Sequence, residues 1–416
     1  MHPFHFDLYG KNAKQNSKGA EATQNPRVWT LNTGLNMNQL LKKSFALMAL
    51  SLGLGLSYAQ PVKLVGLVEL TGTGTTSGTN FDNGIKLAVK EINAAGGILG
   101  RKIDYTSYDT QSNPGVSKGL AQKAIDQEAY VVLGPVFSGS ILVSMAETKR
   151  AEIPNFTGGE AAAITEQGNP YIFRTSFTQA AAMPKIANYI RDAIKAKTID
   201  IIYTNNDFGK GGRDLIMKSL EQRNIKIGAD ISTEPGQLDF SSPVLKAKQS
   251  NSDGVFVYTN EEEAARLLRE LKKQGYKKPI LGETVLTSQK VIELAGDSAN
   301  GAIAHVGLTA DAPQATVKKF DAAYQKEYQS RTDHNGLKGY SAVYIVKAVT
   351  EKMGKFDSKL FAQTLHGLSL SVKDHPGILL DVHFDANGDL DRESYMTKVV
   401  GGKQVVSDVL PALSKK

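Results

Sequence analysis

From Gln60 onward, short apolar runs alternate with longer stretches whose apolar positions recur every three or four residues. Val62 to Val68 is almost continuously apolar, as a strand buried on both faces of a parallel sheet must be. Ile85, Leu87, Ala88, Val89 and Ile92 then share one stripe of a helix predicted over 81–95, with Gly96-Gly97 as its stop. The alternation continues with strands at 103–108, 130–133 and 153–156 and helices at 116–127 and 140–150. It then restarts, with helices predicted at 180–195, 211–223, 243–249 and 261–274 and strands at 199–203, 225–231, 255–258 and 279–281. A strand at 302–306 leads to helices at 317–328, 341–352 and 358–365, and hairpin-like strands at 378–384, 395–400 and 404–406 close the chain. Strands alternating with helices of 10–15 residues indicate βαβ units, and two such rhythms indicate two similar α/β lobes with doubly wound parallel sheets.

The segment before Gln60 follows another logic. Lys42-Lys43, the apolar run Ser44 to Leu56 and the small-residue exit Ser57-Tyr58-Ala59 form a signal peptide over 37–59, with cleavage expected after Ala59. The apolar run is too short to span a bilayer, which needs about 20 residues. Residues 1–36 lack periodicity and read most simply as a non-native upstream extension, with translation starting at Met37, the alternative being a long n-region. The formal charge of +7 then changes meaning. Six bases and two acids lie in 1–59, leaving 43 and 40 in 60–416, a net +3. Basic residues there form only scattered pairs such as Lys272-Lys273, so a nucleic-acid partner is not expected. The absence of cysteine excludes disulfides, thiolate metal sites and a lipid-modified cysteine, so the product should be a periplasmic protein and not a lipoprotein.

Candidate chemistry clusters after the strands. Gly72-Thr-Gly74-Thr-Thr-Ser77-Gly78 lies where a dinucleotide fingerprint would fall, but Ser77 replaces its third glycine. It reads better as a ligand loop at a carboxyl strand end. Gly134 to Ser140 is a second such loop. Ser138 near a helix N-terminus suits a carboxylate or is a plain cap, and Phe137 can line an apolar wall. In Gly158-Gly159-Glu160 the glycines admit a ligand to the backbone, and Glu160 either pairs with an ammonium or is a solvated acid. Asn260 before Glu261-Glu262-Glu263 is a helix cap or a cleft residue. Asp385 to Asp391 imitates a calcium loop, but its glycine sits at the fourth position and Met396 at the twelfth, so an Asn-Gly turn is the better reading. HExxH, GxSxG, Walker A and CxxC are all missing, so neither an enzyme, a cofactor nor a metal site is expected.

The run Gly84 to Gly100 (GIKLAVKEINAAGGILG), with Thr71-Gly72, Tyr108 to Pro114, Gly134 to Ser138, Asn206 to Gly209 and Gly282-Glu283, resembles the type I periplasmic solute-binding proteins of ABC transporters, Leu/Ile/Val-binding branch, over essentially all of 60–416. The resemblance implies two lobes clamping a ligand, lobe 1 from 60–175 and 307–385, lobe 2 from 176–306 and 386–416. The crossovers would fall near 174–176, 306–308 and 385–389. It implies a monomer that delivers a small solute to a membrane permease, most simply a branched-chain amino acid; aliphatic amides or urea, aromatic acids, and a sensor role remain open. Residue by residue, Ser77 falls where a tyrosine often sits, and Ser138 matches the serine that takes the α-carboxylate. Gly158 to Glu160 replaces an Ala/Thr pair. Phe208 keeps an aromatic position and Asn260 replaces another. Glu283 or Thr284 aligns with the acid that takes the ammonium.

Overall fold

The computed structural model describes residues 60–412. The extension at 1–36, the signal at 37–59 and the cleavage after Ala59 lie outside the described residues. The first sheet is parallel throughout, in the order β2-β1-β3-β4-β5, with β1 Val62–Val68, β2 Ile103–Asp109, β3 Val131–Leu133, β4 Asn155–Thr157 and β5 Ile172–Arg174. Its helices are α1 Thr75–Ala94, α2 Pro114–Asp126 and α3 Ser138–Arg150. The second sheet contains β6 Thr198–Thr204, β7 Lys226–Thr233, β8 Gly254–Tyr258, β9 Ile280–Glu283 and β10 Ile303–Val306, all parallel. The hairpin β14 Ser394–Val400 and β15 Lys403–Leu410 adds antiparallel at its β10 edge. Helices α4 Gln179–Tyr189, α5 Asp207–Glu221, α6 Ser241–Ser250, α7 Glu261–Lys273 and α8 Gln289–Ala295 surround it.

After β10 the chain returns to the first core. Leu308, Val317, Phe320, Leu337, Val343 and Phe361 are buried in one cluster with Val62, Leu64, Phe81 and Ile85. They belong mainly to α9 Ala315–Tyr328, α10 His334–Met353 and α11 Ser358–Leu365. Helix α10 lies against α1 at backbone distance. A side chain at Gly84 would strike the Gly336 carbonyl, and one at Gly339 the Phe81 carbonyl. Glycine here is a packing requirement, and the close approach sets the first turns of α10 beside those of α1.

Three expectations need correction. The segment 72–78 is not a loop; after a turn at Gly72 (φ 84°) and one 3-10 turn, helix α1 already starts at Thr75, so Ser77 is helical. Helix α10 starts at His334, seven residues before the predicted start at Ser341, capped by Asp333, whose side chain accepts from the Asn335 and Gly336 amides. Asp385–Asp389 is the turn between β12 Val382–Phe384 and β13 Leu390–Asp391 of a small third sheet, with β11 Ser369–Leu370 on its other side. The chain passes to the second sheet only at Arg392-Glu393, because β13 still pairs with β12.

Candidate functional site

The carboxyl ends of the strands in both sheets face each other across a cavity of about 240 Å³. Ligands of open α/β sheets bind at that end. Glu69, one residue past β1, organises the first wall by accepting from the amides of Val136 (3.1 Å) and Phe137 (3.0 Å). Burial pushes its carboxyl up to about 7. The chain then enters α3 at Ser138, with Phe137 as a cap residue that offers no side-chain hydrogen bond. Ser138 is therefore the first helical residue and not the cap serine. Its hydroxyl oxygen accepts from the Ala161 amide at 3.3 Å, which leaves the hydroxyl proton to donate. Amides in the first turn of a helix lack intrahelical acceptors and carry the positive end of its dipole. Ser138, Gly139 and Ser140 line the cavity, so this end can hold an anion.

Gly158-Gly159-Glu160 forms the next stretch of wall. Arg174, fully buried, donates to the carbonyls of Gly159 (2.9 Å) and Ala161 (3.2 Å) and to Thr165 Oγ1 (2.7 Å), and pairs with Asp389. Glu160 is 6% exposed and faces Lys338 Nζ at 3.1 Å. Lys338 also donates to the Gly158 carbonyl at 3.2 Å. Burial and the neighbouring Glu283 carboxylate push Glu160 up to about 7, against the pull of Lys338.

The second lobe contributes Phe208, stacked on Tyr258 with centroids 4.2 Å apart, and Asn260 at the start of α7. Asn260 is both cap and cavity residue; Glu263 reaches back to accept from its amide at 3.2 Å. The Tyr258 hydroxyl lies 3.4 Å from Glu160 Oε2. Ser77 donates to Glu261 Oε1 at 2.9 Å and Thr76 to Glu262 at 2.7 Å, so the α1 and α7 N-termini are latched across the cleft. Val136, Pro114, Pro235 and Val285 complete apolar walls.

Of the expected site residues, Ser77, Phe137, Ser138, Gly158, Gly159, Glu160, Phe208 and Asn260 line the cavity. Glu283 and Thr284 do not. The Glu283 carboxylate turns onto its own neighbour, accepting from the Thr284 amide (2.5 Å) and hydroxyl (2.7 Å), with His305 Nδ1 at 3.3 Å. Burial holds His305 down at about 3, so that contact is a hydrogen bond to a neutral ring. The residue reading missed Glu261, His334, Asn335 and Lys338, which also line the cavity. The i,i+4 spacing of His334 and Lys338 behind the capping residue Asp333 was the available signal.

Two lobes of parallel sheet closed over an interlobe cavity define a clamp for a small solute. Residues 61–404 match the family model described as periplasmic binding protein, and the chain belongs to that family. The leucine-, isoleucine-, valine-, threonine- and alanine-binding protein of Pseudomonas aeruginosa is 25% identical over 354 residues, 85% of this chain and 93% of the relative. A branched-chain amino acid binding protein from Streptococcus pneumoniae, solved with isoleucine, superposes with a TM-score of 0.75 at 24% identity, covering 84% of this chain and 99% of its own. A Rhodopseudomonas palustris solute-binding protein solved with 3,4-dihydroxybenzoic acid gives 0.78 at 22% identity, covering 86% and 99%.

Proposed function

We propose that this protein is the periplasmic, monomeric solute-binding component of an ABC importer, and that it captures an amino acid of the branched-chain type without chemical conversion. The observation that carries the reading is the Ser138 helix terminus opening into an apolar-walled cavity that both lobes close over. That geometry suits a carboxylate bearing an apolar side chain. The lobes contact each other through Ser77–Glu261 and Thr76–Glu262, and a ligand touching both walls favours the closed state by its added contacts there. A thermal-shift panel of amino acids, amides and aromatic acids tests the reading, since binding raises apparent stability by mass action. Leucine, isoleucine or valine should raise the midpoint; a response to amides alone would overturn it.

A second reading, an aromatic acid without an amino group, is favoured by one observation. Glu160 already has a cation, Lys338, so that acid does not need a ligand ammonium. The same panel separates the two readings. Under either, Ser138→Ala should weaken binding by about 1–3 kcal/mol, because a charged partner loses a donor. Calorimetry that finds affinity unchanged would place the carboxylate elsewhere.

A further inference from the structure

Three acids line the cavity, and their surroundings differ. Asp207 is exposed at the start of α5, where water screens it. Glu160 is buried, and Lys338 neutralises it at 3.1 Å. Glu261 is 3% exposed, and among the described residues it makes no ion pair with a lysine or arginine. Its Oε1 accepts from Ser77 (2.9 Å) and Asn335 Nδ2 (3.4 Å), both neutral donors. Burial, and then the negative charges of Asp333 and Glu262, push its carboxyl up to about 7. Buried carboxylates ordinarily have a cation or a full set of donors. Here a carboxyl on the cavity wall sits in a negative field, held by neutral donors alone: Ser77, Asn335 and its own backbone amide.

We infer that Glu261 is the acid that receives the ammonium of an amino-acid ligand, and that Lys338 keeps Glu160 from that role. The inference rests on the amino-acid reading above and deepens it. A ligand ammonium at Glu261 relieves the repulsion from Asp333 and Glu262; at Glu160 it would meet Lys338, a like charge in a poorly screened place. Because Ser77–Glu261 also latches the lobes, loss of Glu261 should weaken every ligand somewhat. The diagnostic quantity is therefore a ratio, the affinity for leucine over that for 4-methylpentanoate, which has the same carbon skeleton and carboxylate but no amine.

In calorimetry on the full mature chain, Glu261→Gln should lower this ratio at least tenfold. Glu221→Gln, at the exposed end of α5 and outside the cavity, should leave it within about threefold. Glu261→Asp, which keeps the charge one methylene further back, should lower it less than Gln does, and it serves if the Gln variant fails to fold. A ratio unchanged in both Glu261 variants overturns the assignment while leaving leucine binding intact. A wild-type protein that binds 4-methylpentanoate but not leucine overturns the amino-acid reading itself, and the assignment with it.

Discussion

Replacing Arg174 by Met should cost about 3–5 kcal/mol of stability and weaken ligand binding together. Arg174 has no exposed surface, and its guanidinium donates to the Gly159 and Ala161 carbonyls and to Thr165 Oγ1 and pairs with Asp389. Removing one member of a buried pair leaves the other charge uncompensated, here Asp389, whose remaining side-chain donor is Thr165 at 2.9 Å. It also takes a donor from two buried carbonyls, Gly159 and Ala161, the latter keeping only the Ile164 amide at 3.2 Å. The effect reaches the cavity because those carbonyls flank Glu160. The Gly159 carbonyl would keep only the Ser176 hydroxyl at 2.6 Å. Arg174→Lys should recover part of the charge but not the fork that serves several oxygens at once. Chemical denaturation and ligand titration of the two variants check this. A stability loss below about 1 kcal/mol for Met would mean the network is not holding the loop.

Arg174 also marks how far the sequence alone could go. The strand and helix rhythm was legible because burial on both faces makes β1, β6 and β8 predominantly apolar, and α7 and α11 carry clear helical periodicity. The positions of Ser138 and the Gly158–Glu160 loop were legible because glycines and small polar residues at carboxyl strand ends have few other uses. The three-residue strand β5 was not, because Ile172–Arg174 ends in a charge whose burial depends on Asp389, 215 residues away in sequence. The start of α10 was hidden for a related reason. His334, Asn335 and Lys338 break the apolar stripe, and only the packing of Gly336 and Gly339 on α1 makes their burial possible. Lys338 and Glu160 are 178 residues apart, and no periodicity pairs them. Sequence pattern reports the faces of elements; it does not report which polar residues two elements place together once they pack.

Those buried groups give the protein an unusual stability profile with pH. Burial raises the carboxyls of Glu69, Glu160 and Glu261 from 4.5 to about 7, and it raises Glu283 and Asp333 as well. Between about 4.5 and 7 the folded state thus holds protons that the unfolded chain has already lost, so these groups withdraw stability as pH rises. Two buried histidines act in the opposite sense. His305 is held at about 3 against an ordinary 6.5, and burial with Lys338 nearby lowers His334 too. Unfolding lets them take up protons below 6.5, so they contribute stability as pH rises to that value and nothing beyond it. The two trends oppose each other up to about pH 6.5, and the acids act alone above it. Stability of the unliganded protein should therefore decline from pH 6.5 to 8, by on the order of 2 kcal/mol for the three glutamates. Denaturant titrations across that range at constant ionic strength measure it. Leucine at saturation should flatten part of the decline, because an ammonium at Glu261 favours its ionised form. Stability that rises through the same interval would mean these carboxyls are ionised in the fold well below pH 6.5, and that their neighbours compensate burial more fully than the contacts described here allow.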